Sequence, residues 1–445
     1  MLVNICKLKN YGNLKNSGLT LLVGFLESFF NCDVGLQEQP VEKFEEYFKL
    51  DVHSNLRRNC YRISESKMAI IVKVWGVNKD EIMAVMPIVL AAENISNIAN
   101  TLFEKLSILI SKKMTECYSN SFHFGPKYFG DGFAREFIAT CLSARHYDFS
   151  RILFLIETFE KLAGTTFEGN YFTTGLIISK SLYEYNGKKG KNRGGVLYKL
   201  ENDYDVIRKP LVDKRFWYLM DGMNSFYITD QTLVIKNLFI RNEASTSVDS
   251  FFDSYYLENT LLGSDIAFRV IGPNEISIIT NEAFEFIKIE NRWKIRNFEY
   301  LNRYLKARLT MEDSVRQGII YYSTVCSKNH CSSIIWIPQN EDVNAINSLV
   351  SSKNKIWRND LFLTDEKNQC VIQRLLSSDG VTIISSSGKV LYCGAIVKLD
   401  ISEKEGLMGT GENAAKTLSQ NGVAIKISQD GNIKIYSSSA TAFVY

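Results

Sequence analysis

Over the first 158 residues the apolar positions fall mainly at helical spacing. Between residues 86 and 114, Val89, Ile95, Ile98, Leu102, Leu106, Leu109 and Ile110 mark one face, and Glu104, Lys105, Lys112 and Lys113 lie largely away from it. Further helices are predicted over 133–144 and 149–162. The β-branched stretch 68–77, bounded by Gly76, predicts one strand packed among them. A mostly helical domain over 1–158, serving as a sensor, is the expectation.

From residue 166 to residue 296 the helical period fades and short alternating runs replace it. Glu285-Phe286-Ile287-Lys288-Ile289 alternates, Asn291-Arg292 can turn, and Trp293-Lys294-Ile295 alternates back, which predicts a hairpin. Residues 225–229 and 232–239, separated by Asp230-Gln231, read the same way. A β-rich domain over 159–308 follows.

Beyond residue 309 helical and strand patterns mix. Helices are predicted over 311–326, 371–377 and 414–419, and strands over 332–338, 381–385, 390–397, 423–428 and 433–436. The last two strands flank Gln429-Asp430-Gly431, with Asp-Gly where a tight hairpin wants positive φ. The expected fold class is therefore α/β for 309–445, a mixed sheet with flanking helices, behind a helical and a β-rich domain.

Charge and composition narrow the function classes. The 445 residues carry 52 Lys+Arg against 49 Asp+Glu, a net of +3, so bulk cationic attraction to nucleic acid is excluded and no nucleic-acid partner is expected. The insert 187–195 is basic and glycine-rich. Lacking interleaved aromatics, it reads as a solvated loop. Nine cysteines, scattered and never spaced Cys-x-x-Cys, point to free thiols in a reducing compartment. The first residues show no leader pattern. The apolar stretches 18–30 and 82–92 are interrupted or bounded by Glu27, Glu81 and Glu93, short of the roughly 18 apolar residues of a membrane span. A cytoplasmic location without a membrane partner is expected.

Two glycine turns carry the candidate chemistry. Asp379-Gly380-Val381 sets a carboxylate directly before a strand, with a glycine that permits close approach. Gly409-Thr410-Gly411-Glu412-Asn413-Ala414-Ala415 opens a helix, whose first amides suit phosphate oxygens. Each alone also reads as a turn or a cap. Cys326-Ser327-Lys328-Asn329-His330-Cys331 could suggest a metal or a Cys/His pair, but no further ligands lie nearby and a structural role is expected.

In this order, Asp-Gly-Val, a hairpin, Gly-Thr-x-x-x-Ala-Ala and Val423-Ala424-Ile425-Lys426-Ile427-Ser428-Gln429-Asp430-Gly431-Asn432-Ile433 resemble the diadenylate cyclase (DAC) domain family. The resemblance covers residues 309–445. More loosely, 219–222 and 291–293 are similar to the β-rich region of proteins in which a sensor precedes such a domain. The resemblance implies synthesis of cyclic di-AMP from two ATP molecules by domains paired face to face, hence a homo-oligomer, with Mg²⁺ or Mn²⁺ as cofactor. It implies that Asp379 binds the metal and positions the attacking hydroxyl, that Gly380 and Val381 lie against the nucleotide, and that Gly409, Thr410, Gly411 and Asn413 line the phosphates. Asp430, or Gln429, occupies the second metal-ligand segment.

The sequence departs from the family where the family has Arg-His-Arg, because Gly411, Glu412 and Asn413 stand there. Ser428-Gln429-Asp430 likewise replaces Ser-Glu-Glu. Each lost charge-assisted phosphate contact costs about 1.5–3 kcal/mol. Lys404, Lys416 or a metal held by Glu412 would have to compensate. Two readings stay open: a divergent cyclase under control of the N-terminal sensor, and a catalytically degenerate fold that binds nucleotide or dimerises. The C-terminal third has 13 basic and 13 acidic residues, so any phosphate site there depends on local placement rather than on net charge.

Overall fold

The computed structural model describes residues 18–30, 32–36, 59–64, 66–75, 82–91, 100–119, 129–143, 147–180, 182–185, 195–209, 213–241, 261, 263–280, 284–289, 291–355, 361–398, 410–438 and 440–444. The N-terminal part contains α1 (Gly18–Phe30), β1 (Asp33–Leu36), β2 (Cys60–Ser64), β3 (Lys67–Trp75), β4 (Ile82–Ala91), α2 (Asn100–Ser119), α3 (Asp131–Ser143) and α4 (Phe149–Ala163). Its four strands pair antiparallel in the order β1-β4-β3-β2.

Helices hold most of the described residues of this part, packed on four strands where one is predicted, and the helix predicted from residue 86 is corrected to begin at Asn100. Residues 86–91 are strand, paired with β3 from Met68↔Leu90 to Val72↔Met86. The run Met86-Pro87-Ile88-Val89-Leu90 is apolar at every position, so it fits a helical stripe and a fully buried strand equally. The β-branched partner strand decides for pairing. The helix itself is α2, which lies over β3: the Ser107 hydroxyl donates to the Ile71 carbonyl at 2.5 Å, and the Ser111 hydroxyl accepts the Lys73 N–H at 2.9 Å.

The middle part adds β5 (Thr166–Phe167), β6 (Asn170–Tyr171), β7 (Thr174–Ile178), β8 (Gly195–Asp205), α5 (Lys214–Tyr218), β9 (Ser225–Thr229), β10 (Val234–Arg241), β11 (Ile266–Gly272), β12 (Glu275–Thr280), β13 (Phe284–Ile289) and β14 (Arg292–Asn297). Eight of these strands form one sheet, ordered β14-β13-β12-β11-β7-β9-β10-β8. Both predicted hairpins are present, β9–β10 and β13–β14, with Leu233 and Asn291 at positive φ in their turns.

One buried cluster joins the N-terminal helices to a face of this sheet, with Phe29 packing on Phe137 and Phe286 at ring distances of 5.4 and 6.1 Å. Helix α4 is anchored there by Glu160, which is ion-paired with Arg135 at 2.8 Å and accepts hydrogen bonds from Lys288 Nζ at 2.9 Å and Trp293 Nε1 at 3.2 Å.

The C-terminal part comprises α6 (Phe298–Arg308), α7 (Asp313–Lys328), β15 (Ser333–Pro338), α8 (Val343–Leu349), β16 (Val350–Lys355), α9 (Gln369–Leu376), β17 (Val381–Ile384), β18 (Val390–Val397), α10 (Thr410–Ser419), β19 (Gly422–Ile427), β20 (Ile433–Ser437) and β21 (Ala440–Val444). Its seven-stranded sheet runs β16-β18-β17-β15-β19-β20-β21, with β15 and β17 parallel and the other pairs antiparallel.

Alternation sorts its two faces. Ile335, Ile337, Ile425, Ile427, Ile433 and Ile435 pack under Ile319 and Tyr322 of α7 and Ile372 and Leu376 of α9. Ile334, Trp336, Val381, Ile383, Ala424 and Tyr436 pack under Ala414, Ala415 and Leu418 of α10. The result is a mixed α/β sheet covered by helices on both sides, as the pattern beyond residue 309 predicts. No helix among the described residues is long and apolar enough to cross a membrane.

Candidate functional site

The strand registers bring the candidate segments to one end of the C-terminal sheet. Val381 pairs with Ile334, Ile334 with Lys426, and Lys426 with Lys434, which makes one row across β17, β15, β19 and β20. Asp379-Gly380 leads into this row at β17 and Ser332 at β15, while the 428–432 turn closes it between β19 and β20. At about 4.8 Å per strand step, Val381 and Lys434 lie roughly 14 Å apart. Helix α10 begins over the same row, since a Cβ placed on Gly411 would come within 2.9 Å of Lys426 Cε.

Lys426 and Lys434 sit on the face that α10 covers, at strand positions where alternation points a side chain inward. The Lys426 ammonium donates to the Ser332 hydroxyl at 2.6 Å and to the Ile427 carbonyl at 2.8 Å. Partial burial lowers its pKa below the ordinary lysine value, against the pull of Asp430 and Glu412. Lys434 forms an ion pair with Glu412, and the Tyr436 hydroxyl donates to the same carboxylate oxygen at 2.9 Å. The Lys434 hydrogen bond, with help from Tyr436, holds the Glu412 carboxyl below its usual range despite some desolvation. Glu412 at the amino end of α10 also complements the helix dipole.

The sequence-predicted residues are placed as follows. Asp379 is exposed, takes the Gly380 N–H at 2.9 Å, and makes no ion pair among the described residues. Gly380 adopts φ +90°, and a Cβ there would lie 2.8 Å from the Gly394 carbonyl carbon and 2.9 Å from the Ala395 oxygen. The close approach that Gly380 permits is thus to the neighbouring strand β18. Val381 is buried in the core under α10. Thr410 is exposed at the start of α10, with Gly411 and Asn413 half-buried behind it. Asp430 is exposed and bound to its own turn, accepting from Asn432 N at 3.2 Å and Asn432 Nδ2 at 2.7 Å. Gly409, Lys404 and the basic insert 187–195, apart from Gly195 at the start of β8, lie outside the described residues.

A divalent ion is the cofactor that the resemblance implies, and the side chains do not form a ready set for it. Among the described residues no three His, Cys, Asp or Glu groups stand together as metal ligands. Glu412 is committed to Lys434 and Tyr436, Asp430 to Asn432, and Asp379 stands apart from both.

The Cys326–Cys331 segment has the structural role expected of it. Cys326 is buried, with its thiol pushed up to about 12 by desolvation. The ring nitrogens of His330 lie 2.9 Å from the Gln429 carbonyl and 2.9 Å from a Glu275 carboxylate oxygen. No sequence motif marks Lys426, Lys434 or Tyr436 as site residues. The signal for them is the alternation in β19 and β20, which sets two lysines in phase with Ala424 and Tyr436.

No protein-family model matches the sequence, and no curated protein matches it. Among solved structures the chain is similar to a hypothetical membrane spanning protein from Bacillus cereus, at 18% identity and TM-score 0.27, over 33% of this chain and 69% of that one. It is also similar to a double-cysteine mutant of DacA from Staphylococcus aureus, at 15% identity and TM-score 0.22, over 29% of this chain and 84% of that one.

Proposed function

We propose that the C-terminal α/β part is a nucleotide-binding module of diadenylate-cyclase type, which holds the phosphates of ATP or a related nucleotide at the sheet end where α10 begins. The observation that carries this reading is the Lys426–Lys434 pair, two inward lysines facing each other under the amino end of a helix. Together they supply the two positive charges that the family places on arginines. A partly desolvated ammonium gains more from an arriving phosphate than an exposed one does, and the first amides of α10 add to the attraction.

Glu412 occupies Lys434 in the absence of ligand and acts as an internal competitor. A phosphate must displace it from Lys434, which favours a more highly charged ligand over a monophosphate. That built-in competition supports binding over fast turnover.

A second reading, synthesis of a cyclic dinucleotide by paired copies of this part under control of the N-terminal region, is favoured by Asp379. Among the described residues it is an exposed carboxylate without an ion pair at the same sheet end, where the resemblance sets the residue that positions the attacking hydroxyl.

The test titrates ATP, ADP and AMP into the protein by calorimetry, beside Lys426→Met and Lys434→Met. ATP binding that both variants weaken supports the module, and equal binding by all three proteins sinks it. Incubating labelled ATP with Mg²⁺ or Mn²⁺ beside Asp379→Ala decides the second reading. A cyclic product that disappears in the variant supports it, and no product from the wild type removes it.

A further inference from the structure

A chain of buried polar groups crosses the middle sheet and ends on the 428–432 turn. Arg269 on β11 donates to the Ser277 hydroxyl on β12 at 3.0 Å, and Ser277 donates to Glu285 on β13. Glu285 stands directly opposite Arg296 on β14. The Arg296 guanidinium reaches out of the sheet to the Ser327 hydroxyl at the end of α7, at 3.0 Å, and Ser327 donates to the Gly431 carbonyl at 2.5 Å. The four side chains from Arg269 to Arg296 are each no more than 3% exposed.

Two further links join the same partners. Lys294 of β14 donates to Asn432 Oδ1 at 2.8 Å, and His330 bridges Glu275 of β12 to the Gln429 carbonyl. Gly431 itself is seated on the junction, because a Cβ there would contact Ser327 and Ile289 of β13.

Hydrophobic residues of similar size would hold these sheets together at least as well as buried charges do. What a polar row adds is a dependence on exact position. A small shift of β13 against β14 strains the buried Ser277–Glu285 and Arg296–Ser327 bonds, a cost that an apolar contact sliding by the same amount does not carry. We propose that this row couples the middle sheet to the candidate site: the packing of β12–β14 determines how firmly the 428–432 turn is held. The turn in turn sets Asp430 and the start of β20, which carries Lys434. A ligand or partner that displaces β13 or β14 would loosen the turn and lower nucleotide affinity. The part that concerns affinity rests on the function proposed above, whereas the coupling itself does not.

Hydrogen exchange on the full-length protein tests the coupling. Ser327→Ala removes the last link, and about five- to tenfold faster exchange is expected at the amides of Gly431 and Asn432, the loss of one buried hydrogen bond. Ser277→Ala acts on β12, two strands from Arg296 on β14, and should speed the same amides at least about twofold, with β17 and β18 unchanged. Turn amides that stay at the wild-type rate in Ser277→Ala, while Ser327→Ala speeds them, overturn the coupling. If Ser277→Ala does not fold, Glu285→Gln, which keeps the side-chain volume, decides in the same way.

Calorimetry with ATP reads the second half. Affinity falling in step with turn protection supports regulation through the row, and faster exchange at unchanged affinity overturns it. A wild type that binds no nucleotide removes the proposed function and leaves the exchange result to stand alone.

Discussion

Lys426 and Lys434 face each other across β19 and β20, yet among the described residues only Lys434 has a carboxylate, Glu412, in contact with its ammonium. Like charges directly opposite on a sheet repel. The arrangement is tolerable because Glu412 neutralises one lysine while the other is turned to Ser332 and the Ile427 carbonyl. An arriving phosphate can relieve the repulsion from both sides. Lys434→Met is therefore expected to weaken ATP binding about ten- to a hundredfold, the loss of one charge-assisted contact. Glu412→Gln should tighten it by releasing Lys434. Titration calorimetry checks both directions, and equal loss in the two variants would falsify the competitor role of Glu412.

The same carboxylate gives a signature in acid. Its folded-state pKa is depressed, so the stability it contributes is fully present above the unfolded value of about 4.3 and is lost as pH falls through the folded value. The pair is partly exposed, which limits the contribution to under about 1 kcal/mol. Urea midpoints of wild type and Glu412→Gln should differ by a constant amount between about pH 5 and 7 and converge in stronger acid.

At the other end of the scale, Lys426 should lose its proton below the ordinary lysine value of about 10.4. The charged form is the one that binds phosphate. ATP affinity is thus expected to fall on the alkaline side earlier than free lysine predicts, and Lys426→Arg should remove that fall. Affinity measured in steps from about pH 7 to 10 reads it directly.

Gly380→Ala tests the turn before β17. The residue sits at φ +90° with backbone atoms of β18 where a Cβ would go, so neither rotation nor a side-chain shift can make room. A loss above about 1 kcal/mol is expected, from the left-handed conformation and the clash together. A thermal midpoint within 1 °C of wild type would contradict this account.

The β13–β14 and β19–β20 hairpins were legible because their alternation is clean and their turns carry Asn291, or the Gly431 of Asp430-Gly431, at positive φ, whereas β9–β10, with Leu233 at positive φ, was legible from alternation alone. Strand β16 escaped notice because Val-Ser-Ser-Lys-Asn-Lys has one buried residue, Val350, and reads as a loop. Strand β4 was hidden for the opposite reason: being apolar throughout, it carries no period to identify it. Asp379 and Thr410 could be found as motif residues. Lys426 and Lys434 could not, since a lysine in a strand signals function only when the partner strand and the covering helix are known.

Phe29 shows how far the N-terminal helices depend on the middle sheet. Its ring is fully buried between Phe137 and Phe286, from α3 and β13. Phe29→Ala should cost about 3–5 kcal/mol and lower the stability of both parts together. Two probes, a tryptophan signal from Trp217 in the middle part and amide exchange in β3, should report the same shift.

The route by which each sheet closes also sets when it closes. Strands β11 to β14 pair with their neighbours in sequence, whereas β15 must wait for β17 and β19, which arrive from far along the chain. Local pairings form faster than distant ones. In refolding, the meander with its buried Arg269–Ser277–Glu285 row is expected to gain protection first and to present Arg296 as a ready docking point for Ser327. The C-terminal sheet would then assemble against a surface that is already rigid, and pulse-labelled exchange would show β12 protected before β19.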